Sequence, residues 1–142
     1  MPTPPDDSCL RLVHVEDNPD YRDLLAQRLQ EQQCIDIVHS AERSDDAVDW
    51  LRKNPDAWDL LVLDIFLTEG HGYQVLKAAT GRAPHQHAVF LTSYTRDPAR
   101  EQALSLGANA VFDKLRVDDF LAYVRQRHEA RACGSRADLI AG

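Results

Sequence analysis

"LVLDIFLTEGHG", residues 61–72, runs from an unbroken apolar stretch into one carboxylate, Asp64, and then into a loop carrying Gly70 and Gly72. An apolar run this short, with no polar alternation, reads as a strand buried on both faces. Such strands belong to parallel sheets covered by helices on either side. In those sheets ligands bind just beyond the carboxyl ends of the strands. A carboxylate standing at that end is therefore a candidate functional group.

The flanking sequence supports the same architecture. "CLRLVHV" (Cys9 to Val15) reads as a first strand. Asn18-Pro19 then opens a helix, since Asn caps and Pro suits the first helical position. Tyr21, Leu24, Leu25 and Leu29 follow at helical spacing. "CIDIVHS" (Cys34 to Ser40) is a second strand, and Ser44 is expected to cap a second helix that stops at Asn54-Pro55. "LLVLDIF" (Leu60 to Phe66) is the third strand. Tyr73, Leu76 and Ala79 mark a short third helix, and "HAVFLT" (His87 to Thr92) a fourth strand. Asp97-Pro98 opens a fourth helix closed by Gly107. "NAVFDK" (Asn109 to Lys114) is the fifth strand, and Val117, Phe120, Leu121 and Val124 lie on one face of a last helix. Five β units alternating with five α units predict an α/β doubly wound parallel sheet with helices on both faces.

Composition bounds the function. The 16 Lys+Arg against 23 Asp+Glu give a net charge of −7, which argues against a nucleic-acid partner. No apolar run approaches the ~18 residues of a membrane span, and the start of the chain lacks the basic and apolar regions of a secretory signal. Residues 1–8 read as a flexible tail, 9–130 as the domain and 131–142 as a C-terminal tail. Cys9, Cys34 and Cys133 show neither a disulfide framework nor zinc spacing, so reduced thiols in a cytoplasm are expected. His14 reads as a core histidine, His85 and His87 as part of a solvated loop, and Trp50 and Trp58 as residues packed at core edges.

The polar residues past the strands converge. Glu16 and Asp17 end the first strand, Asp64 the third, Thr92 and Ser93 the fourth, and Lys114 the fifth. Neighbouring carboxylates repel and call for a cation. An all-oxygen donor set suits Mg²⁺ or Mn²⁺. Lys114 adds a positive charge for a second anion. Aspartate can act as a nucleophile and accept a phosphoryl group, with a metal and a lysine stabilising charge on the transferred oxygens.

In "VEDN" (Val15 to Asn18), "DLLVLDIFL" (Asp59 to Leu67), the Gly70 and Gly72 loop, "FLTSY" (Phe90 to Tyr94) and "GANAVFDK" (Gly107 to Lys114), the chain resembles the response-regulator receiver domain of two-component signalling. The resemblance implies a flavodoxin-like sheet of strand order 2-1-3-4-5, an order that general fold rules themselves exemplify with a receiver protein. It implies Asp64 as phosphoacceptor, Asp17 as direct Mg²⁺ ligand, Glu16 as a ligand directly or through water, and Phe66 as a ligand through its backbone carbonyl. Thr92 and Lys114 would each hold a phosphoryl oxygen. The implied donor is a sensor histidine kinase or a histidine phosphotransfer protein. Output is expected through contact with a downstream protein target, and the oligomeric state, a weak homodimer included, is left open.

Three departures stand out. Leu115 follows Lys114 where the family usually has proline, so a trans Lys114–Leu115 bond is expected. Val111 stands where an aromatic is usual, with Phe112 beside it. Thr68 replaces a frequent proline in the loop after Asp64. Taken singly, Asp64 could be a turn residue, Lys114 a solvated lysine, Thr92 a strand-end hydroxyl, and Glu16-Asp17 a response to the helix dipole. Two other classes share features: a pseudo-receiver that takes no phosphate, and a Mg²⁺-dependent phosphatase of the haloacid-dehalogenase type. The latter needs an aspartate where Phe66 stands.

Overall fold

The computed structural model describes residues 9–32 and 34–141, with side chains described as far as residue 131. Elements alternate along the chain as β1 Leu10–Val15, α1 Pro19–Gln30, β2 Ile35–Ala41, α2 Ser44–Lys53, β3 Leu60–Leu63, α3 Gly72–Ala78, β4 His87–Thr92, α4 Ala99–Ser105, β5 Ala110–Asp113 and α5 Val117–Ala141, with a 3₁₀ turn at Lys114–Arg116. The five strands form one sheet of order β2-β1-β3-β4-β5, every pair parallel.

Alternation along each strand builds two cores. Val13, Val15, Leu61, Leu63 and Phe90 face α2, α3 and α4, together with Ala47, Leu51, Val75, Leu76 and Ala103. Leu12, Leu60, Val62, Val89 and Leu91 face α1 and α5, with Leu25, Leu29, Phe120, Leu121 and Val124. Both faces of β3 are therefore buried, which is why its sequence carries no polar alternation. Among the described residues no helix is long and apolar enough to cross a membrane.

Several local expectations need adjustment. Ser44 does not cap α2; it is the first helical residue, after Arg43, and its hydroxyl donates to Gln74 Oε1 at 2.9 Å, tying α2 to α3. α5 runs on to Ala141, through residues read as a tail, while residues 1–8 lie outside those described. Trp58 is fully buried rather than at a core edge. His87 is the first residue of β4, bonded to the Tyr123 hydroxyl, and not part of a solvated loop. Cys9 and Cys34 form a disulfide with Cα atoms 4.5 Å apart, which corrects the expectation of reduced thiols. The reason is register: Leu10 pairs with Ile35, so the two preceding residues sit side by side although 25 positions separate them. The cis peptide bond among the described residues is Asp97–Pro98, so Lys114–Leu115 is trans as expected.

Candidate functional site

Strand register assembles the site. Val15 pairs with Leu63, so Glu16 and Asp64, one residue further on, become neighbours. Thr92 pairs with Asp113, which places Lys114 past the next strand end. β3 stops at Leu63, but the Asp64 amide still donates to Val15 O at 3.1 Å, holding the start of the loop against β1. Gly72 closes the loop from the other side. A Cβ there would lie 2.1 Å from the Asp64 carbonyl oxygen and 2.8 Å from the Phe90 ring, so only glycine permits this approach.

Glu16 is 1% exposed and Asp64 8% exposed, and both are bound by one cation. Lys114 Nζ donates to Glu16 Oε1 and Oε2, each at 3.0 Å, and to Asp64 Oδ2 at 2.9 Å. The other Asp64 oxygen, Oδ1, accepts from the Ile65 amide at 2.8 Å. Asp17 completes a group of three carboxylates that each offer one oxygen within 4.8 Å of the others. One ammonium among three carboxylates leaves the cluster short of positive charge. Burial raises Glu16 to about 7, and the neighbouring Asp64 charge adds to this while the Lys114 hydrogen bond opposes it. For Lys114, burial favours the neutral amine, but hydrogen bonds and charge from Asp64 and Glu16 outweigh it and raise its pKa.

The donor set fits a small hard cation. An octahedral Mg²⁺ with ligands at about 2.1 Å separates neighbouring oxygens by roughly 3 Å and opposite ones by roughly 4 Å. Three carboxylate oxygens gathered within 4.8 Å of one another supply hard ligands of the type such an ion takes, on one side of its sphere. Among the described residues this is the only such group of His, Cys, Asp and Glu, so His85 and His87 form none.

A surrounding layer orients these groups. Asp17 Oδ2 accepts from both the Thr68 amide, at 2.7 Å, and the Thr68 hydroxyl, at 2.6 Å. These lengths are those of charge-assisted bonds. The Tyr21 ring lies under Lys114, with Nζ 4.4 Å from its centroid. Thr92 is fully buried at the end of β4, and its hydroxyl accepts from the Tyr94 amide at 3.1 Å. Phe66 and Tyr94 are 55% and 52% exposed and meet edge to face with centroids 4.6 Å apart, beside the acidic cluster.

The structure thus brings Glu16, Asp17, Asp64 and Lys114 together, with Thr92 on the adjoining strand end and turned to its own loop. Sequence reasoning missed Tyr21 and Thr68. Tyr21 carried the helical spacing of a core residue, and Thr68 registered only as a missing proline. Their roles depend on neighbours 93 and 51 positions away, for which no local pattern exists.

Comparison with known proteins places the fold and the family. The family profile described as response regulator receiver domain matches residues 12–125. No curated protein matches the chain. Among solved structures, the chain is similar to the signal receiver domain of a putative Luxo repressor protein from Vibrio parahaemolyticus, at 21% identity and a TM-score of 0.74, covering 94% of this chain and 98% of that one. It is similar to the response regulator domain of Thermotoga maritima CheB at 20% identity and TM-score 0.73, over 85% and 97% of the two chains. The BeF3-activated N-terminal receiver domain of Klebsiella pneumoniae RstA shares 28% identity at TM-score 0.71, over 83% and 97%.

Proposed function

Because the chain belongs to the response regulator receiver domain family, we propose that it is a phosphoacceptor whose nucleophile is Asp64, charged by a sensor histidine kinase or a histidine phosphotransfer protein. The observation that carries this reading is the Lys114 ammonium spanning Asp64 and Glu16, with Asp17 alongside. A carboxylate oxygen of Asp64 attacks phosphorus. The new P–O bond forms as the P–N bond to the donor imidazole breaks, and the electron pair stays on that nitrogen. The Ile65 amide fixes the orientation of the Asp64 carboxylate during attack.

Lys114 already donates to Asp64, so its ammonium lies beside the point where phosphoryl charge develops. Glu16, Asp17, Asp64 and the Phe66 carbonyl would hold Mg²⁺ or Mn²⁺, which when bound neutralises charge on the transferred oxygens. The Thr92 hydroxyl, now engaged with the Tyr94 amide, would turn to a phosphoryl oxygen. Output passes through contact with a downstream protein. The BeF3-activated state named for the RstA domain supports the choice of beryllofluoride as a probe.

The test is labelling by acetyl phosphate in the presence of Mg²⁺. The wild-type protein should incorporate one phosphoryl group, and none when Mg²⁺ is chelated before the donor is added. Asp64→Asn should incorporate none. Label that persists in Asp64→Asn would refute the acceptor assignment, and no label in the wild type under any donor would favour a binding module instead.

A further inference from the structure

Lys114 has three described partners, and two of them are carboxylates that the proposed cation would engage. Its Nζ donates to both Glu16 oxygens and to Asp64 Oδ2. A divalent cation on those groups weakens their pull on the ammonium and repels it as a like charge. The backbone that follows is a 3₁₀ turn whose Leu115 amide donates to Asp113 Oδ1 at 2.8 Å, so it fixes the main chain but not the end of the long lysine stem. Leu115 is 92% exposed, so its side chain packs against nothing. The third partner is the ring of Tyr21, 4.4 Å from Nζ, which is no cation ligand. That ring stands in the first turns of α1, whose start is pinned by Asn18 accepting from the Asp20 and Tyr21 amides, and it packs against the core. Its hydroxyl is buried with no protein hydrogen-bond partner, so the ring face is the part in use.

We propose that Tyr21 is a positioning residue: its ring face keeps the Lys114 ammonium beside Asp64 when a divalent cation occupies the carboxylates. The inference rests on the phosphoacceptor reading of this site and adds how the lysine is retained in the loaded state. A partly desolvated ammonium over a tyrosine face contributes enough to change an equilibrium or rate by roughly tenfold.

The test compares wild type, Tyr21→Leu, Tyr21→Phe, Lys114→Gln and the Tyr21→Leu/Lys114→Gln double variant, all saturated with Mg²⁺. Tyr21→Leu should bind beryllofluoride about tenfold more weakly and react with acetyl phosphate about tenfold more slowly, with its Mg²⁺ affinity within about twofold of wild type. Tyr21→Phe, which keeps the ring, should restore both. In the Lys114→Gln background, Tyr21→Leu should cost nothing more. An equal loss in that background, or wild-type behaviour of Tyr21→Leu, would overturn the proposal. An independent readout is the ammonium resonance of Lys114. An upfield ring-current shift retained in saturating Mg²⁺ supports the proposal, and loss of that shift on adding Mg²⁺ overturns it. A wild-type protein that fails to bind beryllofluoride would sink the phosphoacceptor reading, while the ammonium resonance would still judge the Tyr21 contact.

Discussion

Two buried titratable residues on β1 and just beyond it respond to pH in opposite senses. Burial, with Lys114 and Arg22 adding repulsion, lowers His14 from 6.5 to about 3. A base with a depressed folded pKa contributes stability above 6.5 that is lost as pH falls toward 3, because the unfolded chain then binds the extra proton. The loss is at most about 1.4 kcal/mol per pH unit. Between pH 6.5 and 5 the wild type should therefore lose about 2 kcal/mol more than His14→Gln in urea unfolding. Equal losses would show that His14 takes no part. Glu16 is raised from 4.5 to about 7, so its own contribution to stability is greatest below 4.5 and is lost as pH rises through 7. For cation binding this means competition with a proton. Mg²⁺ affinity should fall by up to about tenfold per unit as pH drops below 7, and Glu16→Gln should flatten that slope. Mg²⁺ titrations at three pH values would check it.

At the scale of elements, the loop after β3 and the fifth strand carry the sharpest expectations. Gly72 begins α3 with its Cα against the Asp64 carbonyl. Gly72→Ala should destabilise the protein by about 1–3 kcal/mol through overpacking and displace Asp64. Urea unfolding together with weakened beryllofluoride binding would register both effects, and an unaffected variant would show that the loop yields easily. On β5, Val111 packs in the core beside α4, while Phe112 faces the opposite side against Phe120 and Tyr123. Phe112 is thus placed, as strand alternation requires, where it cannot replace a ring at position 111. Tyr94 instead carries an exposed aromatic next to the site, in contact with Phe66. Amide shifts on adding beryllofluoride should be small at Val111 and larger over Ser93 to Asp97. Large uniform shifts through β5 and α5 would mean that coupling does not need that ring.

At the scale of the whole molecule, the end of the sheet opposite the acidic site is tied down independently. Asp59, 3% exposed, accepts from the Arg11 amide and guanidinium and from Arg131 Nη1 at 3.0 Å, joining β1, the start of β3 and α5. Arg131 Nε also donates to Cys9 O at 2.8 Å, beside the Cys9–Cys34 disulfide. A disulfide across this separation should stabilise the chain by about 3 kcal/mol. Urea midpoints with and without a dithiol reductant would measure it. An unchanged midpoint, with all three cysteines alkylated in the native protein, would show that the bond does not form in solution.

The sequence by itself determined the alternation of elements, the parallel sheet and the list of groups at the strand ends. Those follow from periodicity, caps and apolar runs, which are local properties. The fourth strand was legible for that reason, its first residue His87 apart, and Asp64 and Lys114 stood out because a charge ended each apolar run. Tertiary structure decided everything that depends on which strands lie side by side. Register joined Cys9 to Cys34, and it set Glu16 beside Asp64 under one ammonium. Chain closure brought Tyr21 to Lys114 and Thr68 to Asp17. Ser44 shows the difference in a single residue. Its type suits a helix cap, but the cap position falls on Arg43, and the Ser44 hydroxyl donates instead to Gln74 Oε1, an acceptor that the packing of α3 against α2 supplies.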